Sequence, residues 1–388
     1  MKINMDTIFK KLVSKKNCLL GAGPMSTNSV DAIIQLSDSY KIPIQLIASR
    51  RQVDSHFHGG GYVNNWSTTE FSDYVRKKTK HNLVFLSRDH SGPWQGEYEV
   101  EKNFKIDQAM ESSKKSLEED IDSGFRFLHL DPSVDLHNKL SIDTILNRLF
   151  ELYGHVYEYS KGLDEIFIEI GTDLQSDMVS TLEETEYILE KIKKFTSKEI
   201  SHKPSFFVIQ NGTKVLETEN VGEYKHKIDN DKNFQNKILS LTKLINSYEV
   251  LIKAHNCDYL ESKTLGSFVE YGINAVNIAP EYGVAETREI IRLCKKYNLQ
   301  TELDSFLEMS LLSNKWKKWL KPDTCIDDHQ KAIISGHYIF SKEDFNELKR
   351  IISFKLKQKE INFESQLYQA VYNSVKNTLK GLNWIKDD

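Results

Sequence analysis

The 388-residue chain has only four cysteines, Cys18, Cys257, Cys294 and Cys325, and none forms a CxxC pair. That scatter argues against a zinc knuckle or a disulfide framework and fits reduced thiols in a cytoplasmic protein. No run approaches the roughly 20 apolar residues of a membrane span, and the lysine-bearing N-terminus lacks the apolar stretch of a signal peptide. Nor is there an excess of positive charge: 52 Lys and Arg face 56 Asp and Glu, for a formal charge of −4. The balance speaks against a general surface for nucleic acid or anionic lipid, while leaving room for a local basic pocket. No GxxxxGK[ST] occurs, so a P-loop kinase has no support.

What the chain does have is an eightfold alternation of a short β-rich run and a helix-length segment. The runs end at Gly21 to Ser26, Ala48 to Arg50, Arg88-Asp-His90, Leu130-Asp131, Glu169 to Gly171, Gln210 to Gly212, Ala254-His255 and Asn277 to Ala279. Near-continuous apolar strands between amphipathic helices are what a parallel sheet buried on both faces requires. Eight such units predict an α/β fold, a TIM (β/α)8 barrel over residues 1–300, with an open doubly wound sheet as the structural competitor. From 301 to 388 the strand pattern stops. Charged residues alternate with spaced apolar ones, as in Lys315-Trp-Lys-Lys-Trp319 and Ser341 to Lys357, which predicts a helical C-terminal extension packed on the barrel. Thr181-Leu-Glu-Glu184 and Ser341-Lys-Glu-Asp344 have the pattern of capping boxes at helix starts.

A parallel barrel gathers the C-terminal ends of its strands around one mouth, so polar residues far apart in sequence could line one pocket. Asp89-His90 is the sharpest local signal: an imidazole ligates metals, and a neighbouring carboxylate can move a proton. His255 ends the seventh run and Glu169 lies near the end of the fifth. Two histidines and a carboxylate would suit a divalent ion, zinc first, with manganese or nickel as alternatives. The bland readings are a solvated Asp-His pair, a Glu169 bound to a lysine and a His255 capping a helix. Asp131 and Asp258 are further strand-end carboxylates that could hold a substrate hydroxyl or orient a ligand histidine. Asp258 could equally cap a helix. The loop from Asp54 to Tyr62 adds His56, His58 and three glycines, whose backbone could approach an anion closely.

Several segments together resemble the GatZ/KbaZ-type subunit family of class II tagatose-bisphosphate aldolases, also labelled tagatose 6-phosphate kinase. They are Gln52-Val-Asp54 with Gly60-Gly-Tyr62, Asp89-His-Ser-Gly-Pro93, Gly124-Phe-Arg-Phe-Leu-His-Leu-Asp131, Val208-Ile-Gln210 with Gly212, Ala254-His255 with Asp258-Tyr259, and Trp316-Lys-Lys318. The resemblance implies a barrel related to catalytic aldolases that bind a divalent ion and a ketose phosphate, with Asp89 as proton donor and His90 and His255 as ligands. It also implies two outcomes, since some members are non-catalytic partners of a separate aldolase chain and others resemble ketose-6-phosphate 4-epimerases. Gln210 stands where the remaining metal histidine of the aldolases would be. Ser87-Arg88 replaces two glycines and Asp54 an asparagine, which suggests a substrate other than tagatose bisphosphate.

The expected site therefore has Asp89, Glu169 and Asp131 as catalytic groups and His90, Glu169 and His255 as metal ligands. Gln52, Asp54, Gly60, Gly61, Tyr62, Arg88, Gln210 and Asp258 are its substrate contacts. The expected activity is retro-aldol or aldol chemistry on a phosphorylated or anionic ketose, as a 4-epimerase or an aldolase-like lyase. A subunit stabilising a class II aldolase is the alternative, and a homo-oligomer is expected.

Overall fold

Runs of four to eight residues with apolar starts form the strands β1 (Leu19–Ala22), β2 (Ile44–Ser49), β3 (Val84–Ser91), β4 (Phe127–Leu130), β5 (Phe167–Ile170), β6 (Phe206–Ile209), β7 (Leu251–Ala254) and β8 (Ala275–Ile278). In the computed structural model, which describes residues 5–14, 16–171, 179–200 and 202–386, neighbouring strands pair in parallel and β1 pairs with β8 to close the barrel. An open sheet is thereby excluded. The helices between strands are α1 (Thr27–Tyr40), α2 (Thr68–Lys78), α3 (Ile106–Asp122), α4 (Ile142–Tyr159), α5 (Leu182–Phe195), α6 (Lys232–Asn246) and α7 (Ser262–Glu270), and α8 (Pro280–Lys296) follows β8. Thr181 caps α5 as its pattern predicts, accepting from the Glu184 amide.

Strand alternation sorts the residues into two sets. Leu46, Leu86, Leu128, Ile168, Phe207, Ile252 and Val276 face outward into the main core beneath the helices. Leu19, Phe85, Phe127, Phe167, Phe206 and Ala275 face inward at the N-terminal end of the barrel. There the short helix Met5–Val13 closes the floor with Ile8 and Leu12, and Phe9 meets the rings of Phe127, Phe167 and Phe206 edge-on at 5.2–6.5 Å. A TIM barrel is a packed core rather than a pore, and here an aromatic layer fills its N-terminal end.

The extension contributes α9 (Gln300–Leu312), α10 (Asp328–Ser335), α11 (Glu343–Lys357) and α12 (Phe363–Gly381). Leu303, Phe306, Phe345 and Ile352 pack with Ile290 and Leu293 of α8 in a second apolar cluster. The last helix returns to the barrel, where α12 packs on α1, α7 and α8 and its Val371, Val375 and Leu379 join the main core. Trp384 Nε1 donates to the Cys18 carbonyl at 2.6 Å, tying the chain end to the entry of β1. The capping box expected at Ser341 does not form: α11 begins at Glu343 without a side-chain cap, and the Ser341 hydroxyl donates instead to the Tyr62 carbonyl at 2.7 Å. Among the described residues no helix is long and apolar enough to cross a membrane.

Candidate metal centre

Above the aromatic layer the barrel interior turns polar. Lys253 of β7, fully buried, donates to both oxygens of Glu169 and to Gln45 Oε1, each at 2.7 Å. Gln45 in turn donates to Glu169 at 2.9 Å. The structure thus corrects the expected role of Glu169 as ligand and acid/base. Its carboxylate is committed to an ammonium in the middle of the barrel, since a buried charge is stable only when paired and hydrogen-bonded.

One level higher, at the C-terminal mouth, Asp89, His90, His129 and His255 converge, each offering a ligand atom within 4.8 Å of the others. One Asp89 oxygen lies 4.0 Å from His90 Nε2, 3.8 Å from His129 Nδ1 and 3.8 Å from His255 Nε2. The three imidazole centroids are mutually 4.9–5.0 Å apart. Alternation explains three of the four. His129 is inward-facing two residues beyond Phe127, His255 two beyond Lys253, and Asp89 two beyond Ser87.

His90 has the wrong parity and reaches the mouth by another route. Between Arg88 and Ser91, β3 carries one more residue than its partner β4, where Arg88 pairs with Leu128 and Ser91 with Leu130. Such a bulge re-aims a side chain. His90 adopts φ +48°, a left-handed conformation uncommon for a residue with a Cβ. Adjacent residues of one strand therefore both face the centre.

Hydrogen bonds hold the cluster in place. His90 Nδ1 is 2.7 Å from Asp131 Oδ2, which orients the ring and leaves Nε2 toward the cluster. Asp131 also accepts from Gln95 and Ser133. Burial would push its carboxyl up, but the His90 bond and charge outweigh this and hold it below the usual range. The Asn277 amide lies 3.0 Å from both Asp89 Oδ1 and His255 Nε2. Gly21 gives Asn277 its room, since a Cβ there would stand 2.3 Å from Asn277 Oδ1. Burial drives the His255 pKa well below its ordinary value, leaving the neutral ring that a metal requires. Asp89 is depressed despite burial by the histidines around it, His90 foremost.

The remaining expected contacts divide. Arg88 is corrected: it faces outward, fully buried, with Asp120 at 2.5 Å and the Ala48 and Val53 carbonyls as partners. Alternation from Ser87 dictates that direction. Asp54 is also engaged away from the mouth, by Arg50 at 3.3 Å and Ser116 at 2.9 Å. His58 lies between Ser55 and Ser112, and His56 is exposed at the surface. The glycines serve packing. Gly60 has φ +74°, and a Cβ on Gly61 would lie 2.0 Å from the Gln52 carbonyl. Gln52 bonds the Pro24 carbonyl at 3.1 Å at the top of β1, with Tyr62 beside Met25. Gln210 follows β6 at inward parity, half-buried, its carbonyl accepting from Ser180. Asp258 accepts from the Ala279 and Glu281 amides, both at 2.9 Å, at the start of α8. It therefore caps the helix after β8 rather than the one after β7, which begins only at Ser262.

His129 was absent from the expected set. Its signal was its position two residues before Asp131, on the inner face of the strand. Its Nε2 is buried with no hydrogen-bond partner. Gly171 makes room for it, since a Cβ there would come within 2.8 Å of that nitrogen. Three imidazoles and a carboxylate are the donor set of a borderline divalent cation such as zinc, and their convergence at one mouth is the structural sign that the set fits one. A groove of about 860 Å³ on the outer face, lined by Phe57, Tyr98 and Glu118 among others, contains none of these residues.

No protein-family model matches the chain, and no curated protein matches it by sequence. Solved structures do. A probable tagatose 6 phosphate kinase from Sinorhizobium meliloti 1021 aligns with a TM-score of 0.71 at 15% identity, over 94% of this chain and 100% of that one. A fructose-bisphosphate aldolase from Campylobacter jejuni aligns at TM-score 0.56 and 13% identity, over 99% and 95%. At these identities the likeness is one of fold, and it falls on the type of protein that the sequence motifs resemble.

Proposed function

We propose that the chain is a metal-dependent carbohydrate enzyme that performs retro-aldol and aldol chemistry on a phosphorylated or otherwise anionic ketose, as a 4-epimerase or an aldolase. The observation that carries this reading is the convergence of His90, His129 and His255 with Asp89 at one barrel mouth. The fold shared with the two named neighbours supports it by analogy.

His90, His129 and His255 are the residues that would hold a divalent ion, which supplies Lewis-acid polarisation of the ketose carbonyl. Asp89, ionised at neutral pH, takes the proton of the C4 hydroxyl at its carboxylate. As that proton leaves, the C4 oxygen forms a carbonyl, the bond between C3 and C4 breaks, and its electron pair remains on the C3 side as an enediolate. Asp131 fixes the His90 ring, and Asn277 positions Asp89 and His255. Departure of the aldehyde, with C3 of the enediolate taking up a proton and Asp89 releasing its own, is aldol cleavage; rotation and re-addition through its other face, with Asp89 returning the proton, inverts C4.

Metal analysis of the purified chain tests the reading. About one divalent ion per chain, lost in His90→Ala, His129→Ala and His255→Ala, is the expected result. Protein that stays metal-free after reconstitution with zinc, manganese and nickel would overturn it. A chain that binds no ion would fit the alternative of a catalytically silent subunit of an aldolase, which has no need of a metal.

A further inference from the structure

A second polar constellation lies on the same end of the barrel, and the extension builds half of it. Arg51 lies in the turn two residues beyond the end of β2 and is exposed. Its carbonyl accepts from the Tyr62 amide at 3.0 Å. Lys318 belongs to the 3-10 turn Lys315–Trp319. Its ammonium stands 4.9 Å from the Trp319 ring centroid and 5.2 Å from that of Tyr338. Tyr338 in turn packs on Tyr62, at 4.8 Å, and Tyr62 reaches Met25 in the loop after β1.

Among the described residues the two cations have no ion-pair partner, and Glu97 acts on Lys318 only from beyond ion-pair distance. Lys315 has Glu97 at 2.6 Å, whereas among the described residues neither Arg51 nor Lys318 has a carboxylate partner. Protein packs around Lys318 while leaving its side chain exposed to solvent. That crowding and the charges of Arg51 and Lys315 push its pKa down to about 8. Like charges within reach of one another raise the free energy of the free protein, and an anion between them relieves it.

Unsatisfied polar atoms adjoin the pair. His337, 1% exposed, has its ring 4.2 Å from that of Tyr338, and neither of its nitrogens has a hydrogen-bond partner. The Tyr259 hydroxyl, in the loop after β7 and within electrostatic reach of Tyr338, is likewise buried and unpartnered. Buried polar groups are normally satisfied, so orphans beside unpaired cations mark a place where a ligand supplies the missing acceptor.

We infer that Arg51 and Lys318, with Tyr259 and His337 behind them, form the subsite for the phosphate monoester of the sugar. Two positive charges match a phosphate dianion better than a singly charged carboxylate. Because Lys318 comes from the extension and Arg51 from the barrel, the extension is a part of the substrate pocket. This inference rests on the proposed function for the identity of the sugar, but not for the existence of the anion site.

Calorimetric titration of the full chain with fructose 6-phosphate, fructose and fructuronate tests it. Fructose 6-phosphate should bind at least about tenfold more tightly than either other sugar. That preference should disappear in Lys318→Met and in Arg51→Gln, persist in Lys318→Arg, and leave metal content unchanged throughout. Equal binding of the phosphate by wild type and both neutral variants overturns the inference, as does tighter binding of the carboxylate sugar. A chain that binds metal but shows no such preference refutes this subsite alone. A metal-free chain with a Lys318-dependent phosphate preference keeps the subsite and refutes the metal mechanism.

Discussion

Replacing Glu169 by glutamine separates its two readings. A metal ligand would give up an ion and little stability; a buried counter-ion would do the reverse. In the structure Glu169 is 1% exposed and Lys253 fully buried, joined by two 2.7 Å contacts. Breaking such a pair on one side costs about 3–5 kcal/mol, because the surviving charge is left uncompensated. Unfolding entropy of about 2.1 cal/mol/K per residue over 388 residues is about 0.8 kcal/mol/K, so Tm should fall by about 4–6 °C. Glu169→Gln should therefore melt early in a calorimetric scan, yet retain wild-type metal stoichiometry when reconstituted with saturating zinc. The double variant Glu169→Gln, Lys253→Met removes both charges and should recover most of the loss. An unshifted melt together with a metal-free Glu169→Gln protein would refute the assignment and return Glu169 to the ligand set.

Two further outcomes follow from the geometry. Burial and the neighbouring Glu281 raise Asp258 to about 7, above its unfolded value near 3.8. The folded chain therefore binds more protons between these values, and the stability from this group, present below about pH 4, is lost as pH rises toward 7. Denaturant titrations should show that decline, up to about 4 kcal/mol for a three-unit shift, flattened in Asp258→Asn, which can still accept from the Ala279 and Glu281 amides; an unchanged slope counts against the raised pKa. Leu379→Ala, at a fully buried position of α12, should lower stability by about 2–5 kcal/mol within a single transition monitored by both fluorescence and circular dichroism, whereas separate transitions would show that α12 is not part of the barrel core.

The fold was legible because its signals are local. Each strand is a short apolar run and each helix an amphipathic segment, and eight repeats leave few ways to arrange them. Asp89, His90 and His255 were legible as strand-end residues. His129 and Arg88 were also within reach, because alternation from Phe127 places the first inside the barrel and alternation from Ser87 places the second outside it. The bulge that turns His90 inward was not, since nothing in Arg-Asp-His-Ser announces a left-handed residue. Nor was the partner of Glu169, which lies 84 positions on and becomes a neighbour only when the ring closes. The destination of α12 was hidden for a related reason, because an amphipathic pattern shows that a helix has an apolar face without naming what covers it.

The order of layers inside the barrel gives the Glu169 pair a reason to exist. Phe127, Phe167 and Phe206 exclude water from below, which lowers the local dielectric and strengthens every charge above them. Lys253 lies directly over that layer, its ammonium 5.4 Å from the Phe206 ring centroid, and its charge helps to depress the His255 pKa. Unpaired, it would oppose any cation held by the three histidines. Glu169 cancels that charge without reaching the mouth, so it favours a cation at the histidine cluster electrostatically while ligating nothing. A carboxylate near the end of the fifth strand thus serves this barrel as the counter-ion of Lys253, a role that its place in the sequence alone could not distinguish from coordination.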